Sequence, residues 1–357
     1  MDVPLELPLL LDDNTAWGFS ARTAKSVKNG ADAVCAQLKQ LAQHRAEYGK
    51  SLPAEAAGHV PVCGTLGPSG ILLPPAGDSN FEDVYDICRG RVCALKKLGA
   101  RFLLLERQTS LADMRASLLA ARGFKIPVFC CLSAGKNAEE KFLPALITLQ
   151  AMGASAVGLC GIPDESMLSV LKKAVPYASV PLAVVADAPA SCTPEAFAKL
   201  IRPLLSIGIR LIACGKNTSQ EHLCAAKAIM KKYGPPEIPE ESDCYAAATE
   251  WETFFLGDDI RFSRPIRCSS LLGDKLINLD DEEVSAALVK IESISDARIL
   301  GANSTMAKLP VAIRSDSATE LEAALRYFQG RLIIDSTSPV GREVLEPLAD
   351  KYGAILY

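Results

Sequence analysis

The stretch 208–229, "GIRLIACGKNTSQEHLCAAKAI", decides how the chain is read. Its first part, IRLIAC, is a short apolar run between glycines, the pattern of a strand buried on both faces. A tight GKN turn follows, then a helix opening at TSQEHL, where Thr218 and Glu221 have the spacing of a capping box. A buried strand that runs straight into a helix is half of a βα unit. Cys214 then stands at the C-terminal end of a parallel strand, where α/β proteins place their ligands.

The same alternation recurs along the chain. Strands are expected at 7–13, 60–67, 100–106, 126–133, 154–161, 180–187 and 209–215. Amphipathic helices are expected between them, over 28–49, 81–98, 110–122, 139–152, 165–174 and 193–206. Ser110 precedes one helix, and Thr193-Pro194-Glu195 supplies an N-cap, a first-turn proline and an acidic first turn for another. Parallel strands joined by right-handed helical crossovers predict an α/β fold, a (β/α)8-type barrel. The count is one strand short. Either a strand is hidden between 14 and 59, or the barrel is irregular and lacks one βα unit. A doubly wound sheet is the alternative, and no GxGxxG pattern supports it.

Residues 1–233 thus form the expected barrel, and "GPPEIPEES" (234–242) reads as a linker. Residues 243–357 are expected to form a small open α/β domain. It opens on a hairpin across Gly257-Asp258-Asp259 in "WETFFLGDDIRFSRPIRC", followed by strands KLINL, AALVKIE, LPVAIRS, RLIIDS and AILY. The sequence stops just after a strand, which raises the expectation of a fragment of a longer multidomain protein.

Composition narrows the function classes. The 357 residues are 49% hydrophobic and 6% aromatic with a net charge of −4, and Lys and Arg are scattered. That excludes a basic nucleic-acid footprint and a polybasic membrane patch. No apolar run approaches the ~20 residues of a membrane span, and "MDVPLELPLLLDD" lacks a basic signal region. Twelve cysteines in a core-rich chain without a leader favour reduced thiols and the cytoplasm.

The segments "VPVCGTLGPSG" (60–70), "GARFLLLERQTSLADMRASLLAAR" (99–122), "MGASAVGLCG" (152–161), "TPEAFAKLI" (193–201) and 208–223 follow the order and spacing of homocysteine S-methyltransferases. Residues 8–232 resemble the homocysteine barrel of cobalamin-dependent methionine synthases in particular. The resemblance implies a (β/α)8 barrel in which three cysteine thiolates hold one zinc. That zinc keeps the thiol of a small amino-acid substrate as the attacking thiolate. It also implies a methyl donor such as methylcobalamin on a corrinoid partner protein, or S-methylmethionine, or further synthase domains on the same chain.

The ligand motifs depart from the family. Where the family has Gly-x-Asn-Cys, this chain has Gly158-Leu159-Cys160-Gly161; where it has Gly-Gly-Cys-Cys-Gly, this chain has Ile212-Ala213-Cys214-Gly215-Lys216. Aligned without gaps, the ligand positions hold Gly161, Gly215 and Lys216. With a one-residue slip Cys160 and Cys214 remain as metal ligands, and the third position holds Ala213. Near the N-terminus, Asn14-Thr15 resembles the end of the family's second strand. A piece at 309–357 resembles part of a pterin-binding barrel, with Arg314 and Asp335 in place of its Asp and Asn.

The resemblance makes Glu106 the candidate catalytic and substrate-binding carboxylate, receiving the substrate ammonium; an ordinary strand-end ion pair is the competing reading. Gly64 and Gly67 in GTLGPSG would line the pocket, or serve only as turn glycines. Asp187 would bind substrate or water. Cys130 and Cys131 are adjacent, so only one can face the barrel interior and complete a cysteine set. Lys216 stands near the metal position, either as a replacement charge or solvated. Cys35, Cys88, Cys93, Cys192 and Cys224 read as packing residues, His222 as helix-cap support, and His44 and His59 have no partner in sequence. The competing functional reading is a binding or scaffolding protein descended from catalysts.

Overall fold

A computed structural model describes residues 10–11, 19–21, 63–73, 77, 79–97, 100–135, 137–233, 245–279 and 283–357. The expected helix 28–49, Asn14-Thr15, the start of the 60–67 strand, Cys35, His44, His59 and the 234–242 linker lie outside these residues.

The first sheet has eight parallel strands: β1 (Leu10–Leu11), β2 (Phe19–Ala21), β3 (Cys63–Leu66), β4 (Phe102–Gln108), β5 (Val128–Ser133), β6 (Ala156–Gly161), β7 (Leu182–Ala186) and β8 (Leu211–Cys214). Their spatial order, β1-β8-β7-β6-β5-β4-β3-β2, steps to the next neighbour at every crossover from β2 to β8 and sets β1 beside β8, as a (β/α)8-type barrel does. β1 pairs with β8 and β2 with β3, while no pairing joins β1 to β2 among the described residues. β2 is the strand that the sequence count lacked; three residues are too few to display an alternation. Seven residues separate it from β1, shorter than the ten or so a helical crossover needs. The first βα unit is therefore abbreviated, with its strand present.

Alternation along the strands sorts the core into two layers. Phe102, Leu104, Phe129, Cys131, Cys160 and Val185 belong to an interior cluster, with the Phe102 and Phe129 rings 5.3 Å apart. Their neighbours Leu103, Leu105, Cys130, Leu159, Val184 and Ile212 belong to the layer against the helices. The helices start where the sequence says. Ser110 Oγ accepts from the Ala112 N–H at 3.2 Å, and Thr193 Oγ1 from the Ala196 N–H at 3.2 Å. The last barrel helix, Gln220–Met230, is capped differently from expectation. Ser219 replaces Thr218 as N-cap and donates its N–H to His222 Nδ1 at 3.1 Å, because Thr218 Oγ1 instead bonds back to the Gly215 carbonyl at 2.6 Å.

The second part holds an antiparallel pair, β9 (Ala246–Ala248) with β10 (Thr253–Phe255), and a parallel sheet. That sheet comprises β11 (Ile266–Arg267), β12 (Ala287–Ile291), β13 (Val311–Ser315), β14 (Ile333–Ile334) and β15 (Ile355–Leu356), in sequential order. Two expectations are corrected. The hairpin turns at 249–252, where the Thr249 hydroxyl accepts the N–H groups of Trp251 and Glu252 at 3.2 and 3.0 Å, so TFF pairs backwards with AAA and Gly257-Asp258-Asp259 stays outside the pairing. KLINL is part of the helix Leu272–Asn278, with Leu272 and Leu276 buried one turn apart.

One apolar cluster runs through the barrel helices into the second part, from Leu66 to Tyr352. Arg115 pins this junction. It is the largest fully buried side chain among the described residues, 1% exposed, and sits at the C-terminus of the helix Ala318–Tyr327. Nη1 donates to the Phe328 carbonyl, and to Arg326 O and Gln329 Oε1 at 3.2 Å each; Nη2 donates to Leu325 O. Those carbonyls have no intrahelical partners and form the negative end of the helix dipole. Burial nonetheless pulls the Arg115 pKa down to about 10. Arg115→Ala leaves these carbonyls buried and unpaired, so it should cost about 2–4 kcal/mol in urea unfolding.

Nearby, Glu322 Oε1 accepts from Lys351 Nζ at 2.7 Å, from the Tyr352 hydroxyl at 2.8 Å and from Arg326 Nη2 at 3.1 Å. Burial alone would raise its pKa, but those hydrogen bonds and the Arg326 and Lys351 charges hold it down to about 2. A depressed carboxyl stabilises the fold above its unfolded pKa of ~4.3 and loses that contribution as pH falls towards 2. The wild type should therefore lose more stability between pH 5 and 2 than Glu322→Gln does, read by thermal unfolding at each pH.

Candidate functional site

The C-terminal end of β4 carries an irregularity. Its pairing with β5 slips between Leu105 and Gln108, and Arg107 within the slip has φ 54°, a left-handed conformation costing a side-chain-bearing residue about 1–2 kcal/mol. Bulges of this kind re-aim side chains at sheet rims. Here the slip sends the Arg107 side chain past β5 and β6 to Asp187, just beyond β7. Nη1 donates to Asp187 Oδ2 at 3.0 Å and Nη2 to Oδ1 at 2.5 Å. The pair is largely sheltered, with side chains 25% and 12% exposed. The hydrogen bond to Asp187 raises the Arg107 pKa above its already high value.

Asp187 takes a third donor, the Lys216 N–H, on Oδ1 at 2.6 Å. Around it the strand ends are laced by backbone bonds: Asp187 N–H to Gly161 O, and Gly215 N–H to Ala186 O, each 2.8 Å. Glycine at 215 is a requirement of this arrangement. A Cβ there would lie 2.2 Å from Asp187 Oδ1, so a side chain at 215 and the seated Asp187 carboxylate exclude one another.

Below the pair lie two interior thiols. The Arg107 N–H donates to Cys160 Sγ at 3.2 Å. Cys131 is pushed well above the usual thiol range by its hydrogen bond with Cys160 and by burial. Of the adjacent cysteines, Cys131 is the inward one; Cys130 faces the helix layer, where burial raises it too. Glu106, next to Arg107 in sequence, acts electrostatically on both Arg107 and Cys131.

The expectation that Cys160 and Cys214 hold one metal is corrected by strand parity. Cys160 is opposite Val185 in the pairing of β6 with β7 and belongs to the interior. Cys214 is opposite Ala186 in the pairing of β7 with β8 and packs against the helix-side core. The two thiols stand on opposite faces of the sheet. Gly161, Gly215 and Lys216, at the ungapped ligand positions, bring no thiolate, carboxylate or imidazole. Among the described residues no group of three or more His, Cys, Asp or Glu could hold a metal ion. The residues do not fit a three-cysteine zinc centre.

Gly64 is corrected as well. A Cβ on it would meet Leu103, Leu95 and Ala100 at 2.9–3.2 Å. Its role is to let the helix Phe81–Lys97 approach the strand, and it does not face the mouth. Gly67 faces open space, in a loop tied down by Ser69, which donates its N–H and hydroxyl to Asp113 at 2.9 and 2.7 Å. Lys216 is exposed. His222 supports its helix cap and bonds the Cys192 carbonyl through Nε2 at 2.9 Å. Arg107 was missed by sequence reading, although a charged residue directly after Glu106, at the end of the buried run FLLLE, was the signal available.

The Arg107–Asp187 pair should be energetically coupled. A double-mutant cycle of Arg107→Ala and Asp187→Ala, read by urea unfolding, should give an interaction of about 1–3 kcal/mol; additive single mutants would mean the pair is dispensable.

The family described as homocysteine S-methyltransferase matches residues 15–230, more than half of the chain. No curated protein matches the sequence. Among solved structures, the apo form of the homocysteine methyltransferase MmuM from Escherichia coli is similar at 20% identity. It covers 57% of this chain and 75% of that one with a TM-score of 0.45. Its metallated form gives 18% identity, 56% and 72% coverage and a TM-score of 0.45. An archaeal fructose-1,6-bisphosphate aldolase gives 17%, 64%, 94% and 0.33. Among the described residues no helix is long and apolar enough to cross a membrane.

Proposed function

The chain belongs to the homocysteine S-methyltransferase family, and from that premise we propose that its barrel mouth binds a small amino-acid thiol in a thiol S-methyltransferase-like role without a three-cysteine zinc centre. The supporting observation is the sheltered Arg107–Asp187 pair. It sets a fixed cation beside a fixed anion, with Glu106 next in sequence, and this complements the carboxylate and ammonium of a zwitterion. In this reading Arg107 takes the substrate carboxylate, and Glu106 with Asp187 takes the ammonium.

The transfer itself needs the substrate sulfur as a thiolate. Its lone pair forms the new bond to the methyl carbon, and the old methyl bond breaks with its electrons leaving on the donor. The thiol proton passes to Glu106 or to water. A donor of either class, methylcobalamin on a corrinoid partner or a sulfonium such as S-methylmethionine, satisfies that balance. A second reading, a catalytically silent binder or scaffold, is favoured by Gly161, Gly215 and Lys216 at the positions where the family carries ligands.

Metal analysis of reduced protein together with homocysteine calorimetry tests the proposal. Zinc should be well below one per chain, and homocysteine should bind about tenfold or more weakly to Arg107→Ala, the loss of a charge-assisted pair. Stoichiometric zinc that disappears in Cys160→Ala with Cys214→Ala would overturn it. Binding without methyl transfer from either donor class would select the silent binder.

A further inference from the structure

The second sheet carries a row of cations on one face. Arg267 of β11 is paired with Lys290 of β12, and Lys290 with Arg314 of β13, so three basic side chains stand side by side near the C-terminal ends of parallel strands. Two of them are committed within the chain. Lys290 Nζ lies 2.8 Å from Glu292 and 3.6 Å from Asp316. Arg314 is paired with the buried Asp335 and donates to Thr337 Oγ1 at 2.9 Å. Arg267 has no hydrogen-bonded carboxylate among the described residues and feels Glu292 only through space.

β11 is also the edge strand of its sheet. Between the segment that leads into β11 and the end of the helix Leu272–Asn278 runs a groove of about 790 Å³, walled by Ser263–Arg267 and by Lys275, Asn278 and Leu279. Among the described residues that line it, three are cations, Arg264, Arg267 and Lys275, and none is a carboxylate. Ile266, Pro265 and Leu279 give it an apolar floor. The volume lies within the ~300–1,000 Å³ of small-molecule sites, far more than a bare inorganic ion fills. Guanidinium groups suit the planar, bidentate recognition of phosphate oxygens.

We infer that the groove beside β11 binds an organic phosphate, its phosphate oxygens on Arg264, Arg267 and Lys275 and its organic part along Pro265, Ile266 and Leu279. The site is separate from the barrel mouth, so its ligand is independent of the amino-acid thiol proposed there.

Calorimetric titration of the full chain at low salt with pyrophosphate, and then with ADP, tests this. Both should bind, ADP more tightly, with affinity falling as salt rises. Arg264→Glu and Arg267→Glu, both at exposed positions, should each weaken pyrophosphate at least tenfold, while Lys199→Glu on a barrel helix should leave it unchanged. Three results would overturn the inference: no binding at millimolar pyrophosphate, meaning that the chain already satisfies these cations; equal weakening by Lys199→Glu, meaning diffuse attraction; or ADP no tighter than pyrophosphate, meaning a phosphate patch without an organic subsite.

Discussion

Successive side chains on a strand point to opposite faces, and this alternation governs everything at the barrel mouth. It sends Cys131 and Cys160 inward and Cys130 and Cys214 outward. It turns Gly64 to the helices, where its missing side chain admits Leu95 and Leu103. A break in the alternation, the slip between Leu105 and Gln108, is what frees Arg107 to reach across two strands. A metal centre built from strand-end cysteines requires them to share a face, and here they do not.

What stands at the mouth is an ion pair in a glycine frame. The Asp187 carboxylate needs the space that a side chain at 215 would fill, and it is held by two guanidinium nitrogens and the Lys216 N–H. Left-handed backbone at Arg107 costs free energy that these charge-assisted bonds offset. Strain retained next to a sheltered ion pair is typical of a site that orients a ligand.

The second part is joined to the barrel by an unusual contact. A buried guanidinium normally has a carboxylate partner, yet Arg115 is surrounded by the last-turn carbonyls of the helix Ala318–Tyr327 and by Gln329. Their combined dipole compensates the charge. Around this point the apolar layer is continuous between the two parts, so the barrel helices are covered on that side by protein.

The sequence by itself determined the βα alternation, the helix caps at Ser110 and Thr193, the barrel class and the family, because each is written in local periodicity and short-range hydrogen bonding. It also carried the departures from the family's ligand motifs. β2 was too short to register, KLINL was too short for its period to be told, and the hairpin turned on a threonine hydroxyl where a Gly-Asp-Asp signal competed. Only the tertiary structure decided which cysteines meet, that Gly64 packs a helix, and that Arg107 and Asp187, far apart in sequence, close on one another. Those outcomes depend on strand register and on a one-residue slip, and register is fixed by contacts between strands that no local pattern records.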